Sequence, residues 1–230
     1  MRGYVNRLEL KQIAVFGLIL LPIAILCYEN KLNIGHITSA PLFLMLLLML
    51  ATRNIEIPIA SIRTRKPEIL PQHAFILEKI YSVPISEELI TPRERVFDTK
   101  LTINFAGVII PLLAVVYLLA TGPITTSLEI ALIITVIAFL ASEMVDGVGI
   151  EIPDHIGIIA LPLALILSPD NAESVVFISS IGGILAGGIA SLLTLDREKN
   201  GSAYISIGGV GSFRAIYTVV LIASLMSYYT

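Results

Sequence analysis

Tryptophan is absent, cysteine occurs once and histidine three times in 230 residues, and only 14% of positions are charged. The single cysteine, Cys27, excludes an intrachain disulfide and any cysteine-cluster metal site. His36, His73 and His155 stand far apart with no His-x-x-x-His spacing, so no metal site is expected. There is no Walker loop, no Gly-x-Ser-x-Gly elbow and no dinucleotide fingerprint, and no cofactor is expected. A net charge of −3 supplies no basic face for neutralising phosphates, which argues against a nucleic-acid partner.

What is abundant is apolar. Hydrophobic residues make up 56% of the chain, and the mean hydropathy is +0.88. An ordinary soluble domain carries about 25% charged residues. One globule of this length cannot hide so much apolar surface from water, so lipid must serve as its solvent. The expected fold is an all-α polytopic membrane protein, with membrane lipid as its first partner.

Crossing the hydrocarbon core takes about 20 apolar residues in a helix. Seven stretches fit or approach that length: 12–28, 37–51, 101–120, 128–142, 156–168, 175–195 and 213–229. The second, fourth and fifth are short. The first follows Arg2, Arg7 and Lys11 and so resembles a signal peptide, but no small-x-small cleavage site follows, and it reads as a retained anchor. With the N-terminus in the cytoplasm, the inside segments hold 14 of the 15 Lys and Arg residues, and only Lys31 falls outside. So clean a split favours seven spans, N-terminus inside, in the cell membrane.

These spans divide the chain into two N-terminal transmembrane helices (1–51), a charged and proline-containing cytoplasmic insert (52–100) and a five-helix membrane core (101–230). Within the insert, residues 55–63 alternate weakly, as an extended edge segment would. Residues 72–81 suit a short amphipathic helix, with Phe75, Ile76, Leu77 and Ile80 partly on one face. The insert reads as a solvated connector or as a docking cap. In the sixth span Ser179, Gly183, Gly187 and Ser191 form a smooth stripe that lets another helix come close. Pro22, Pro111 and Pro162 inside spans imply kinks.

Two polar segments carry whatever chemistry there is. The first runs from Ser142 to His155 and contains Glu143, Asp146, Glu151 and Asp154, with no Lys or Arg. It is either an exposed acidic turn or a site for a proton, a cation or a peptide carbonyl. The second, Ile207-Gly208-Gly209-Val210-Gly211-Ser212-Phe213-Arg214, opens the seventh span. Its glycines expose backbone N–H groups, Ser212 is placed to cap the helix, and Arg214 needs a carboxylate partner such as Asp146, Glu151 or Asp154. Glu151, His155, Gly209, Gly211, Ser212 and Arg214 are therefore candidate binding residues.

Several pieces resemble the membrane family called domain of unknown function 1614. They are Asn54-Ile55-Glu56-Ile57-Pro58, Thr99-Lys100-Leu101-Thr102-Ile103-Asn104-Phe105-Ala106-Gly107, Gly147-Val148-Gly149-Ile150 with Pro153, and Ser206-Ile207-Gly208-Gly209-Val210-Gly211-Ser212-Phe213. The carboxy-terminal half also resembles the core of prepilin and preflagellin peptidases, which are membrane aspartyl proteases. Asp146 and Ile152-Pro153-Asp154 match the Asp-x5-Ile/Leu-Pro-Asp/Asn arrangement of their first aspartate. Gly209-Val210-Gly211-Ser212 stands where their Gly-x-Gly-Asp motif carries the second. The resemblance implies Asp146 as a catalytic residue, with Asp154 or Glu151 as its substitute partner if activity survives, because a serine cannot hold the proton that two carboxylates share. The reading that results is a non-catalytic, peptidase-like binding scaffold with a polar cytoplasmic mouth and a peptide or membrane-protein partner. The alternatives are an active membrane aspartyl protease and a proton, cation or small-solute transporter.

Overall fold

The computed structural model describes residues 7–66, 71–81, 85, 96–122, 124–197 and 201–229. The residues before Arg7, where the signal-like start was read, lie outside this set. Each of the seven apolar stretches is helical over most of its length. They form α1 (Arg7–Tyr28), α2 (Ser39–Thr52), α4 (Ile110–Thr121), α5 (Ile124–Ala141), α6 (Ala160–Leu167), α7 (Ala172–Leu193) and α8 (Phe213–Met226). The insert contributes α3 (Pro71–Tyr81). Two helices, Ile124–Ala141 and Pro169–Leu193, are long and apolar enough to cross a membrane, and the other five apolar helices are shorter.

Helix α4 is entered through a π-turn, Phe105–Ile109, and α6 through a 3-10 turn, Ile156–Ile159. Both irregular turns sit just ahead of a proline. Pro111 and Pro162 lack the N–H that would bond back to the carbonyls of Gly107 and Ile158, so regular helix is weakest there.

Helix α7 is central, with side chains from Ala172 to Ile181 buried all round. Its small-residue stripe packs on α5. A Cβ at Gly183 would stand 2.5 Å from Ile134 Cβ, and one at Gly187 would stand 2.6 Å from Ala138 Cβ. Small residues at this spacing let the two helix backbones approach closely. Adding one methyl here would destabilise by about 1–3 kcal/mol. Ser180 Oγ donates to Gly157 O at 2.8 Å and ties α7 to the turn before α6.

The chain is not all-α, which corrects the expectation from hydropathy. Strands β1 (Glu56–Arg65), β2 (Val96–Asn104) and β5 (Tyr204–Ile207) form a sheet in the order β1-β2-β5, antiparallel and then parallel. Strands β3 (Glu143–Val145) and β4 (Gly149–Glu151) form a hairpin. Residues 101–104 were expected to start a membrane span, but they alternate apolar and polar, and the period of two gives a strand with one polar face. Because β2 runs from 96 to 104, the division at 100/101 falls inside a strand. Strand β1 is an edge, where Pro58 needs no ladder donor, and a register shift between Pro58 and Ala60 breaks its regularity.

Helix α3 buries Ala74, Leu77 and Tyr81 against Val145, Val148 and Val210. Phe75, Ile76 and Ile80 stay exposed, so the buried face is only partly the one expected. The loop between α1 and α2 is held to the opposite ends of α7 and α8. There Gly35 N donates to Glu173 Oε1 at 3.4 Å and Asn33 N donates to Ser227 Oγ at 3.1 Å.

Candidate functional site

Two polar clusters flank the glycine-rich loop that joins β5 to α8. The first gathers around Arg214, in the first turn of α8. Its guanidinium lies 3.3 Å from Asp154 Oδ1 and 3.8 Å from Glu151 Oε1. Tyr81, at the end of α3, donates its hydroxyl to Glu151 Oε2. The insert is thereby tied to the hairpin and to α8 through four side chains. Burial, reinforced by the Glu151 carboxylate, pushes the Tyr81 hydroxyl up to about 12. Burial also raises Asp154 above the ordinary carboxylate range, outweighing the opposing pull of Arg214.

The second cluster was missed by sequence reasoning. Glu56 opens β1, and its carboxylate receives Thr102 Oγ1 at 2.6 Å, Asn104 Nδ2 at 3.1 Å and Ser206 Oγ at 2.6 and 2.8 Å. The register explains the convergence. Glu56 lies opposite Asn104, Pro58 opposite Thr102, and Thr102 opposite Ser206, so all five side chains share one face of the sheet. Asn104 organises the rest. Its Nδ2 also donates to Arg53 O at 2.6 Å, and its Oδ1 accepts the Gly107 N–H at 2.8 Å, capping the turn that leads into α4.

The glycines make the closure possible. A Cβ on Gly107 would overlap the carbonyl oxygen of Gly208, and one on Gly209 would overlap Ser206 Oγ and Glu56 Oε1. Above this floor opens a cleft of about 270 Å³, lined among others by Glu56, Lys100, Thr102, Tyr204, Ser206 and Arg53. Lys100 Nζ lies 5.7 Å from the centre of the Tyr204 ring.

A family model described as "Protein of unknown function (DUF1614)" matches residues 50–226. The chain belongs to the DUF1614 family. No curated protein and no solved structure matches it. The matched region takes in every residue of both clusters. The pieces that carried the resemblance around Glu56, Thr102, Asn104, Ser206, Gly208 and Gly209 meet in space at the second cluster, although they come from three separate parts of the DUF1614 sequence.

Asp146 Oδ1 accepts the Gly201 N–H at 3.2 Å, and Asp154 pairs with Arg214. His155 is exposed and precedes the 3-10 turn into α6. Gly211 O accepts the Ile152 N–H at 2.8 Å and joins the glycine loop to the end of the hairpin. Ser212 occupies the N-cap position but makes no capping bond, which corrects that expectation. The Gly209 carbonyl already takes the N–H groups of Ser212 and Phe213, at 3.0 and 2.8 Å. Ser212 itself is buried, lining a small gap beside Ile150 and Ile152. Polar residues alternate with apolar ones at 102-104 and at 204-206, a strand signal, but that alternation does not point to Glu56 as the acid these side chains meet.

Proposed function

We propose that this DUF1614 member is an integral membrane binding protein without peptidase chemistry, whose recognition face lies at the end capped by the sheet and hairpin. One observation carries the reading. Asp154 is paired with Arg214 and Asp146 accepts the Gly201 N–H, while Ser212 is buried in a gap lined by Ile150 and Ile152 and supplies no carboxyl to either. Aspartyl proteolysis needs two carboxyls in mutual contact, sharing a proton. The polar mouth between hairpin and glycine loop, with Glu151, His155, Gly211 and Arg214 at its opening and Gly209 and Ser212 buried, is then a surface for a peptide or membrane-protein partner.

The membrane setting is supported by the outward apolar side chains of α1, α4 and α5, among them Leu18, Leu113, Leu132 and Leu140, each at least two-thirds exposed. Seven crossings with the N-terminus inside are supported by the charge distribution. They are also supported by the gathering of the α1–α2 loop, Glu173 and Ser227 at one end, away from the sheet.

Cleavage of signal-peptide-like membrane substrates in liposomes tests the chemistry. The chain as it stands is expected to leave them intact, and turnover abolished by Asp146→Asn would overturn the reading. Running Ser212→Asp alongside asks whether a second aspartate restores an enzyme to this scaffold. Topology is checked separately by replacing Cys27 and labelling single cysteines at Glu29 and Arg197, both exposed, in sealed vesicles. Opposite sidedness of the two is expected, with Glu29 outside.

A further inference from the structure

We infer that the cleft over Glu56 binds a small zwitterion, a primary ammonium joined by a short linker to a phosphate or carboxylate, with the ammonium on Glu56 and the anionic group on Lys100. The inference rests on reading the chain as a binding protein and names the chemistry of one of its sites.

Three observations lead there. First, every group converging on Glu56 is a neutral donor: two hydroxyls and one amide. An ionised carboxylate accepts only, and this shell matches that form while supplying no positive charge. Glu56 makes no ion pair among the described residues, in contrast to Glu151 and Asp154. A half-buried negative charge with no cation is unfavourable unless something else brings one.

Second, the same sheet face carries positive charge one pleat away. Lys100 stands two residues along β2 from Thr102, about 7 Å by strand geometry, and opposite Tyr204 in the register. Arg53 also lines the cleft. A floor of one sign and a wall of the other suits a ligand that carries both charges a few ångströms apart. It disfavours a plain anion, which Glu56 would repel, and a plain cation, which Lys100 would repel.

Third, the size selects among zwitterions. At about 270 Å³ the cleft falls just below the ~300–1,000 Å³ of pockets for drug-sized ligands, so it suits a headgroup or an amino acid and not a peptide segment. The chemistry is the same whether the ligand is the phosphoethanolamine of a membrane lipid or a free aminoalkyl phosphate.

The test is calorimetric titration of the full chain in detergent micelles with phosphoethanolamine, phosphocholine and inorganic phosphate. Phosphoethanolamine is expected to bind, and phosphocholine, whose methylated ammonium has no N–H, is expected to bind about tenfold more weakly. Glu56→Gln should weaken phosphoethanolamine by about tenfold or more while leaving phosphate unweakened, whereas Lys100→Met should weaken both. Lys100 is exposed, so its variant keeps the test open even if Glu56→Gln fails to fold. Equal binding of phosphate and phosphoethanolamine, an indifferent Glu56→Gln, or no binding of phosphoethanolamine would each overturn the proposal. Nanodiscs then separate the sources. If phosphatidylethanolamine, but not phosphatidylglycerol, blocks the free headgroup, the ligand is lipid; unblocked binding assigns a soluble one. Peptide turnover, by contrast, bears only on the non-catalytic reading, so the two fail separately.

Discussion

The two clusters beside the glycine loop both hold acids, and they differ in whether the protein sets a cation beside them. Around Arg214, two acids share one guanidinium and a tyrosine hydroxyl, so a cation of the protein stands beside both acids and offsets part of their charge. Around Glu56, one acid is held by three neutral donors and left with its charge. An ion-paired cluster locks elements together, here α3, the hairpin and α8. An acid fixed in place but not neutralised contributes less to stability and more to recognition, and such local conflicts are expected at functional sites.

The largest effect is expected beneath the second cluster. Gly107→Ala would drive a methyl into the Gly208 backbone, where no side chain can swing away. We expect a loss of about 3 kcal/mol, or failure to fold, measured by unfolding in micelles. Asn104→Ala comes next, since it removes a helix cap and two further bonds at once. About 2 kcal/mol is expected, with headgroup binding lost as well. Loss of stability without loss of binding would erase the distinction between lock and site.

Smaller effects belong to the first cluster. Arg214→Met and Glu151→Gln, combined in a double-mutant cycle, should couple by about 0.5–1 kcal/mol and less in high salt, because both groups are partly exposed. Headgroup binding should not change, and a change would merge the two clusters into one site. Tyr81→Phe should cost about 1 kcal/mol near neutrality. Its pH dependence has a definite sign. A hydroxyl raised from 10 to about 12 in the folded state binds its proton more tightly there. The stabilisation is therefore complete below pH 10 and lost as pH rises through about 12. A wild-type stability curve that falls across this window, and a flatter one for Tyr81→Phe, would support the assignment. Identical curves would remove Tyr81 from the lock.

Much of the helical architecture was legible. The apolar runs at 37–51, 156–168 and 213–229 became helices within a few residues of their expected ends, because a run of Leu, Ile and Ala has few ways to satisfy its backbone in an apolar setting. The small-residue stripe of α7 was legible for the same local reason. The sheet was legible only at 55–63. Residues 101–104 and 204–207 adjoin or precede helices, and a hydropathy window averages over their alternation. Arg214 and its two acids could be anticipated, since a cation at a span edge restricts its partners to the same side. Glu56 could not. Nothing near residue 56 indicates that the donors at 102, 104 and 206 will surround it.

The sequence alone, through composition and periodicity, determined where the helices lie and which segments are polar, because those properties depend on neighbours within a turn or two. Only the tertiary structure decided which acid has a cation beside it and which has not. That depends on strand register across 46 and 150 residues of chain. A shift of one residue in the pairing would turn Thr102 or Ser206 to the opposite face and dissolve the site.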